Sequence, residues 1–159
     1  MRNQDERRGK FLHTLVGSGV EVCFGNPGTS EMNFVGALDR VDGMRAILCL
    51  LEGAVTGAAG GYGRIAEKAA AKLLHLGPGL ANGLADLHNA RRASTPIVNI
   101  VGGHATQRAQ YDTPLASDIL GFARPVSGWL HSSANAQLSG QLEREPCRQR
   151  CNILDRSRH

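Results

Sequence analysis

The stretch AAAKLLHLGPGLANGLADLHNARRASTPIVNIVGG, residues 69–103, decides the fold. It opens on a short apolar run, residues 69–76, interrupted by Lys72 and His75 and too brief for a stable helix. A turn at Gly77, Pro78 and Gly79 follows, and the chain continues to Ala93 with apolar residues at helical spacing. The stretch closes on TPIVNIVGG, residues 95–103, where Ile97, Val98 and Ile100 favour a strand. Strand, helix and strand in succession form a crossover unit. Apolar runs without clean alternation belong to strands covered on both faces, as in a parallel sheet.

The same rhythm extends toward the N-terminus. Residues 4–18 read as an amphipathic helix with Phe11, Leu12, Leu15 and Val16 on one face. GVEVCFG (19–25) is a short strand, and NPGTSEMNFVGAL (26–38) is a turn leading into a helix. Thr29 or Ser30 is the expected N-cap there, with Glu31 in the first turn near the positive end of the dipole. MRAILCLL (44–51) reads as a second buried strand, and the Gly/Ala segment to about residue 67 as a second helix. The order αβαβαβαβ predicts an α/β fold: a three-layer, doubly wound domain with a mainly parallel sheet and helices on both faces. The domain is expected over residues 1–130. Residues 131–159 hold few large apolar side chains and read as an irregular tail without a strand, at most helical over ANAQLSGQLERE (134–145).

Composition excludes several classes of function. The net charge of +4 is spread along the chain, with no basic stripe interleaved with aromatics, so no nucleic-acid partner is expected. No run approaches the ~20 apolar residues of a membrane span. Cys23 and Cys49 fall in strands expected to be buried, where a free thiol acts as a small hydrophobe. Cys147 and Cys151 have no matching His or Cys pair, so no metal site is expected. The chain reads as cytoplasmic and reduced.

In a doubly wound sheet, ligands collect outside the carboxyl ends of the strands. That rule selects GNPGT (25–29), Glu52, HLGPG (75–79) and GGH (102–104). Glu52, His75 and His104 are the titratable groups of this edge, and Asn26 and Thr29 its neutral polar groups. Each has a plain structural reading when taken alone. GNPGT makes a turn, Glu52 is a helix-start acid, and His75 is a polar residue at a strand end. GPGLANG, with Gly77, Gly79 and Gly83, invites a small nucleotide-binding domain as an alternative. Its spacing departs from G-x-G-x-x-G, and no acid follows the next strand to hold a ribose. The helix after Glu52 is the harder feature to dismiss. Gly53, Gly57, Gly60 and Gly61 each cost roughly 1 kcal/mol relative to Ala, about 4 kcal/mol together. Close approach of another backbone, within the domain or at a subunit interface, is the usual compensation.

Four segments in this order, GVEVCFGNPGTSEMNFVGALD, EGAVTGAAGGYGR, LLHLGPGLANGLADLHNARRASTPIVNIVG and YDTPLASDILGFARPVSGW, resemble a known family. It is the N-terminal, pyrimidine-binding domain of thiamine-diphosphate-dependent enzymes, of the acetolactate synthase large subunit and benzoylformate decarboxylase-like branches. The resemblance runs from about residue 10 to residue 130. It implies that Glu52 hydrogen-bonds N1′ of the cofactor's aminopyrimidine and promotes the tautomer whose 4′-nitrogen takes the thiazolium C2 proton. It places Asn26, Pro27, Gly28 and Thr29 in the loop beside pyrimidine and substrate, with Gly77 also at the cofactor. His75 matches a histidine that moves protons to reaction intermediates in the benzoylformate decarboxylase branch. The implied substrate is a 2-keto acid.

The chain departs from the family pattern at Gly60, where an acid is usual, at Ala69, where Pro is common, and at Lys72, a charge in a buried strand. The GDG motif and downstream Asn that hold magnesium and the diphosphate do not occur in it. The resemblance therefore implies half a site, with a homodimer or a complementary diphosphate-domain chain as the expected partner. The expectation is a truncated or frameshifted chain that is inactive alone.

Overall fold

The computed structural model describes residues 2–104, 111–133 and 151–155. Helix α1 (Arg2–Gly17) leads into strand β1 (Val22–Asn26), and a 3-10 turn at Thr29–Glu31 opens helix α2 (Met32–Leu38). Strand β2 (Arg45–Leu48) precedes helix α3 (Glu52–Ile65), and strand β3 (Ala70–Leu74) precedes helices α4 (Leu76–Asn82) and α5 (Leu84–Arg92). Strand β4 (Ile97–Gly102), helix α6 (Ile119–Ala123), and strands β5 (Trp129–Ser133) and β6 (Cys151–Asp155) complete the described elements. The sheet order is β2-β1-β3-β4-β6-β5, and every pairing is parallel. This is the expected α/β architecture. The chain steps from β1 outward to β2, then returns to the other side of β1 for β3. The β1–β3 boundary is therefore the topological switch point, where such sheets bind ligands.

Side-chain alternation along the inner strands explains the three layers. On β3, Ala71 and Leu73 join Cys23, Val98 and Ile100 in a core closed by Phe11, Leu12 and Leu15 of α1 and Phe34 of α2. Ala70 and Leu74 point the other way, into a second core with Val55 and Ala59 of α3, Leu80 of α4 and Leu87 of α5. Each fully buried Leu or Val contributes about 1.5–3 kcal/mol relative to exposure. Small residues let the layers approach: an added Cβ on Gly63 of α3 would lie 2.6 Å from Thr95 Cγ2.

Two expectations fail here. The run 44–51 was expected as a buried strand, yet only Arg45–Leu48 pairs, on the outer edge of the sheet. Leu48, Leu50 and Leu51 are exposed, Leu50 to 89%, and Cys49 is only half-buried. An apolar run records a need for cover, and an edge strand has a neighbour on one side only. The second failure lies after Leu130. Trp129–Ser133 is a strand, and Cys151–Asp155 is inserted between it and β4, in register from Asn99↔Asn152 to Gly102↔Asp155. With only Ile153 and Leu154 as large apolar residues, β6 is called into extended form by two neighbouring ladders rather than by its own pattern. The helix expected over residues 134–145 and the Cys147 thiol lie outside the described residues.

Among the described residues no helix is long and apolar enough to cross a membrane, and no three metal-ligating side chains cluster.

Candidate functional site

At the switch point the chain leaves β1 through Asn26, Pro27 and Gly28. This loop touches two acids, one on each side. Glu52 is the first residue of α3, where a carboxylate interacts favourably with the helix dipole. Its Oε1 accepts a hydrogen bond from Asn26 Nδ2 at 2.9 Å, and its Oε2 accepts one from Asn82 Nδ2 at 3.2 Å. Two amides from different elements thus fix the carboxylate plane, and lone pairs remain on both oxygens for a further donor. Glu52 itself is half-buried.

The second acid is Glu31. Its side chain is only 2% exposed, although it belongs to the short turn after the loop. Oε2 accepts the Gly28 backbone N–H at 2.8 Å and lies 2.8 Å from His75 Nδ1. Oε1 is buried without a partner among the described residues, against Gly102 at the end of β4. An unsatisfied buried oxygen costs about 1–3 kcal/mol, so the pocket holds Glu31 at some expense to stability. The expected N-cap at Thr29 or Ser30 does not form. Thr29 is exposed, and α2 starts at Met32 with Glu31 in the N-cap position and no side-chain cap hydrogen bond.

His75 follows β3 directly, and its side chain is one quarter exposed. The ring lies over Gly28, where a Cβ would sit 2.4 Å from Nδ1. Glycine is required here by the neighbouring imidazole and not by the backbone, which is extended at φ −106°. Gly77 is buried, and an added Cβ would meet Ser117 Cβ and Oγ at 2.2 Å. The backbone of GPG lies inside α4, with Gly77 and Gly79 both buried, so it does not form the open phosphate loop of a nucleotide site. His104 lies just beyond the end of β4, with Nε2 buried and unpartnered among the described residues.

Beneath Glu52 lies a buried polar column. Thr56 donates its hydroxyl to the Glu52 carbonyl at 2.9 Å and accepts from Lys72 Nζ at 2.9 Å. Lys72 is fully buried, and burial pushes its amine down to about 7, opposed by the negative charge of Asp86. Gly83 admits the column, since a Cβ there would lie 2.6 Å from Thr56 Oγ1 and 3.4 Å from Lys72 Nζ.

The thiamine pyrophosphate enzyme N-terminal TPP binding domain model matches residues 9–132. The chain belongs to this family. Its thiamine-enzyme domain is 62% identical over 126 residues to a Mycobacterium tuberculosis protein provisionally named acetolactate synthase large subunit IlvX, covering 79% of this chain and 24% of that protein. It is 33% identical over 115 residues to the acetolactate synthase large subunit of Buchnera aphidicola subsp. Schizaphis graminum, covering 72% and 20%. It is 34% identical over 120 residues to benzoylformate decarboxylase of Pseudomonas aeruginosa, covering 75% and 22%. The chain thus spans about a quarter or less of the length of these curated relatives. Among solved structures, a thiamine diphosphate-dependent 4-hydroxybenzoylformate decarboxylase of Rhodococcus jostii RHA1 superposes with a TM-score of 0.78 at 22% identity, covering 98% of this chain and 30% of that one. That likeness concerns the fold. Thiamine diphosphate is the cofactor of the family, and the domain is the acetolactate synthase and decarboxylase-like N-terminal type.

Of the residues singled out from sequence, Asn26 and Glu52 are hydrogen-bonded and Gly28 and His75 are in contact, so one loop joins both pairs. Gly77 packs on Ser117 instead. Two residues of this edge were not singled out from sequence as part of it, Glu31 having been read only as a first-turn acid. Glu31 stands three positions after Gly28, the spacing of a capping box, and that signal was available. Asn82 reaches Glu52 across 30 positions, a separation no local pattern encodes.

Proposed function

We propose that this chain supplies the aminopyrimidine half of a thiamine diphosphate site, with Glu52 as the group that meets N1′. The observation that carries the proposal is the Glu52 carboxylate, fixed by Asn26 and Asn82 at the switch-point edge with lone pairs to spare. That donor set fits the group: a protonated ring nitrogen needs a fixed anionic acceptor, and two neutral amides orient one without neutralising it. When bound, the cofactor supplies a carbon nucleophile and an electron sink for a 2-keto acid. Glu52 holds or returns the proton at N1′. Asn26, Pro27 and Gly28 would line the ring, and Gly77 would meet the cofactor through its backbone. Thr29 faces substrate, and His75 moves a proton at the substrate side.

We further propose that the diphosphate and its magnesium are held by a complementary diphosphate-domain chain. The 159 residues alone then catalyse no turnover of a 2-keto acid. Support comes from Gly61 of α3, which is only half-buried and has no atom of the described residues within 4 Å of an added Cβ, leaving room for a packing partner.

The test is a titration of the ¹⁵N-labelled chain with thiamine, followed by amide and side-chain amide shifts. Saturable shifts at Asn26, Gly28 and Asn82 that vanish in Glu52→Gln are expected. A folded chain whose Asn26 and Asn82 resonances ignore millimolar thiamine would overturn the reading. Decarboxylation of pyruvate or benzoylformate by the purified chain with thiamine diphosphate and magnesium would refute the half-site.

A further inference from the structure

We propose that Glu31 is a positioning residue that fixes the tautomer of His75, keeping the imidazole proton on Nδ1 and turning the Nε2 lone pair toward the site. The geometry is specific. Glu31 Oε2 takes two close contacts, the Gly28 N–H at 2.8 Å and His75 Nδ1 at 2.8 Å. The amide is an obligatory donor, so Oε2 is already acting as an acceptor. A carboxylate oxygen takes a second donor readily, and Nδ1 therefore carries hydrogen in the neutral ring. The other nitrogen, Nε2, is then the only acceptor or base the imidazole can offer.

Three surroundings hold the pair in place. Gly28 lies under the ring, and a Cβ there would fall 2.4 Å from Nδ1. Gly102, at the end of β4, lies against the carboxyl, and a Cβ there would fall 1.5 Å from Glu31 Oε1. The Glu31 side chain is 2% exposed, so water does not compete for Oε2. An acid placed only to start a helix has no need of burial against a glycine of the fourth strand. Glycines in two separate motifs, GNPG and VGG, are thus bare for one purpose: to admit the carboxyl–imidazole contact. The proposal rests on the reading of His75 as the proton-moving group for a 2-keto acid, but its geometry stands without bound cofactor.

The experiment is long-range ¹H–¹⁵N correlation on the imidazoles of the uniformly labelled full chain, without thiamine, at a pH where the ring is neutral. His75→Gln identifies the His75 signals among the six histidines. The expected result is a protonated Nδ1 and an unprotonated Nε2 in the native chain. Glu31→Gln, which keeps an acceptor oxygen, is expected to preserve that tautomer. Glu31→Leu, which removes the acceptor, is expected to lower the Nδ1–H population severalfold. Gly102→Ala is expected to act in the same direction by displacing the carboxyl. A native His75 protonated on Nε2 would overturn the proposal, even if no variant folds. So would an unchanged tautomer in a folded Glu31→Leu. Because no cofactor is present, these outcomes are independent of whether Glu52 binds thiamine.

Discussion

At the middle of β3 Lys72 is fully buried, with its Nζ 2.9 Å from the Thr56 hydroxyl and the negative charge of Asp86 opposing the cost of burial. Its amine lies at about 7 in the folded chain, against an ordinary 10.5 that the unfolded chain regains. As pH falls from 10.5 toward 7 the unfolded state takes up this proton first. Stability therefore declines over that window, by at most about 1.4 kcal/mol per pH unit, and levels off below it. Lys72→Met should flatten that part of the urea-derived stability profile, and be more stable than the native chain at pH 7 but not at pH 10.5. Parallel profiles for the two proteins would show that Lys72 is not the titrating group. A second residue-scale prediction concerns Gly28. Gly28→Ala drives a methyl against His75 and should cost about 1–3 kcal/mol by overpacking, read from the same denaturation curves. That Lys72 sits in a buried strand was legible from its apolar neighbours. That it points to α3 and meets Thr56 was not, because the choice between two covered faces of a central strand leaves no mark on the local sequence.

Helix α3 shows how far a compositional argument carries. Its glycines were expected to be compensated by close packing, and within the described residues only part of that holds. Gly63 is tight against Thr95, whereas Gly60 and Gly61 have nothing within 4 Å of an added Cβ. Gly61→Ala should accordingly raise the stability of the isolated chain by about 1 kcal/mol through helix propensity. Gly63→Ala should lower it by about 1–3 kcal/mol, because the Thr95 methyl must move. Both are read by urea unfolding, and equal effects of like sign would refute the packing assignment. If a partner covers this helix, Gly61→Ala should also weaken association in sedimentation velocity. Element order through β4 was legible because each unit carries its own apolar run and its own glycine punctuation. The exposure of β2 was not, since Leu48, Leu50 and Leu51 read the same at a sheet edge as at its centre.

For the whole molecule, the decisive feature is β6. It brings residues 151–155 back between β4 and β5, so the last described segment lies inside the sheet. Deleting residues 134–159 would bare the β4 ladder and leave β5 without its one strand partner among the described residues. The melting temperature should fall on the order of 10 °C, and emission from Trp129, the single tryptophan, should shift to the red as its packing on the first core loosens. An unchanged melt and emission would show that β6 does not contribute. Local sequence was enough to give the layered α/β class, the order of the first four strands, and the placement of Asn26, Gly28, Glu52 and His75 at one edge of the sheet. Those follow from local periodicity and from the rule that strand ends collect at one edge. Only the tertiary structure decided that Asn82 braces Glu52, that Glu31 holds His75, and that β6 completes the sheet. Each of these depends on contacts tens of residues apart, which are selected by packing and hydrogen-bond satisfaction and not by any neighbouring residue.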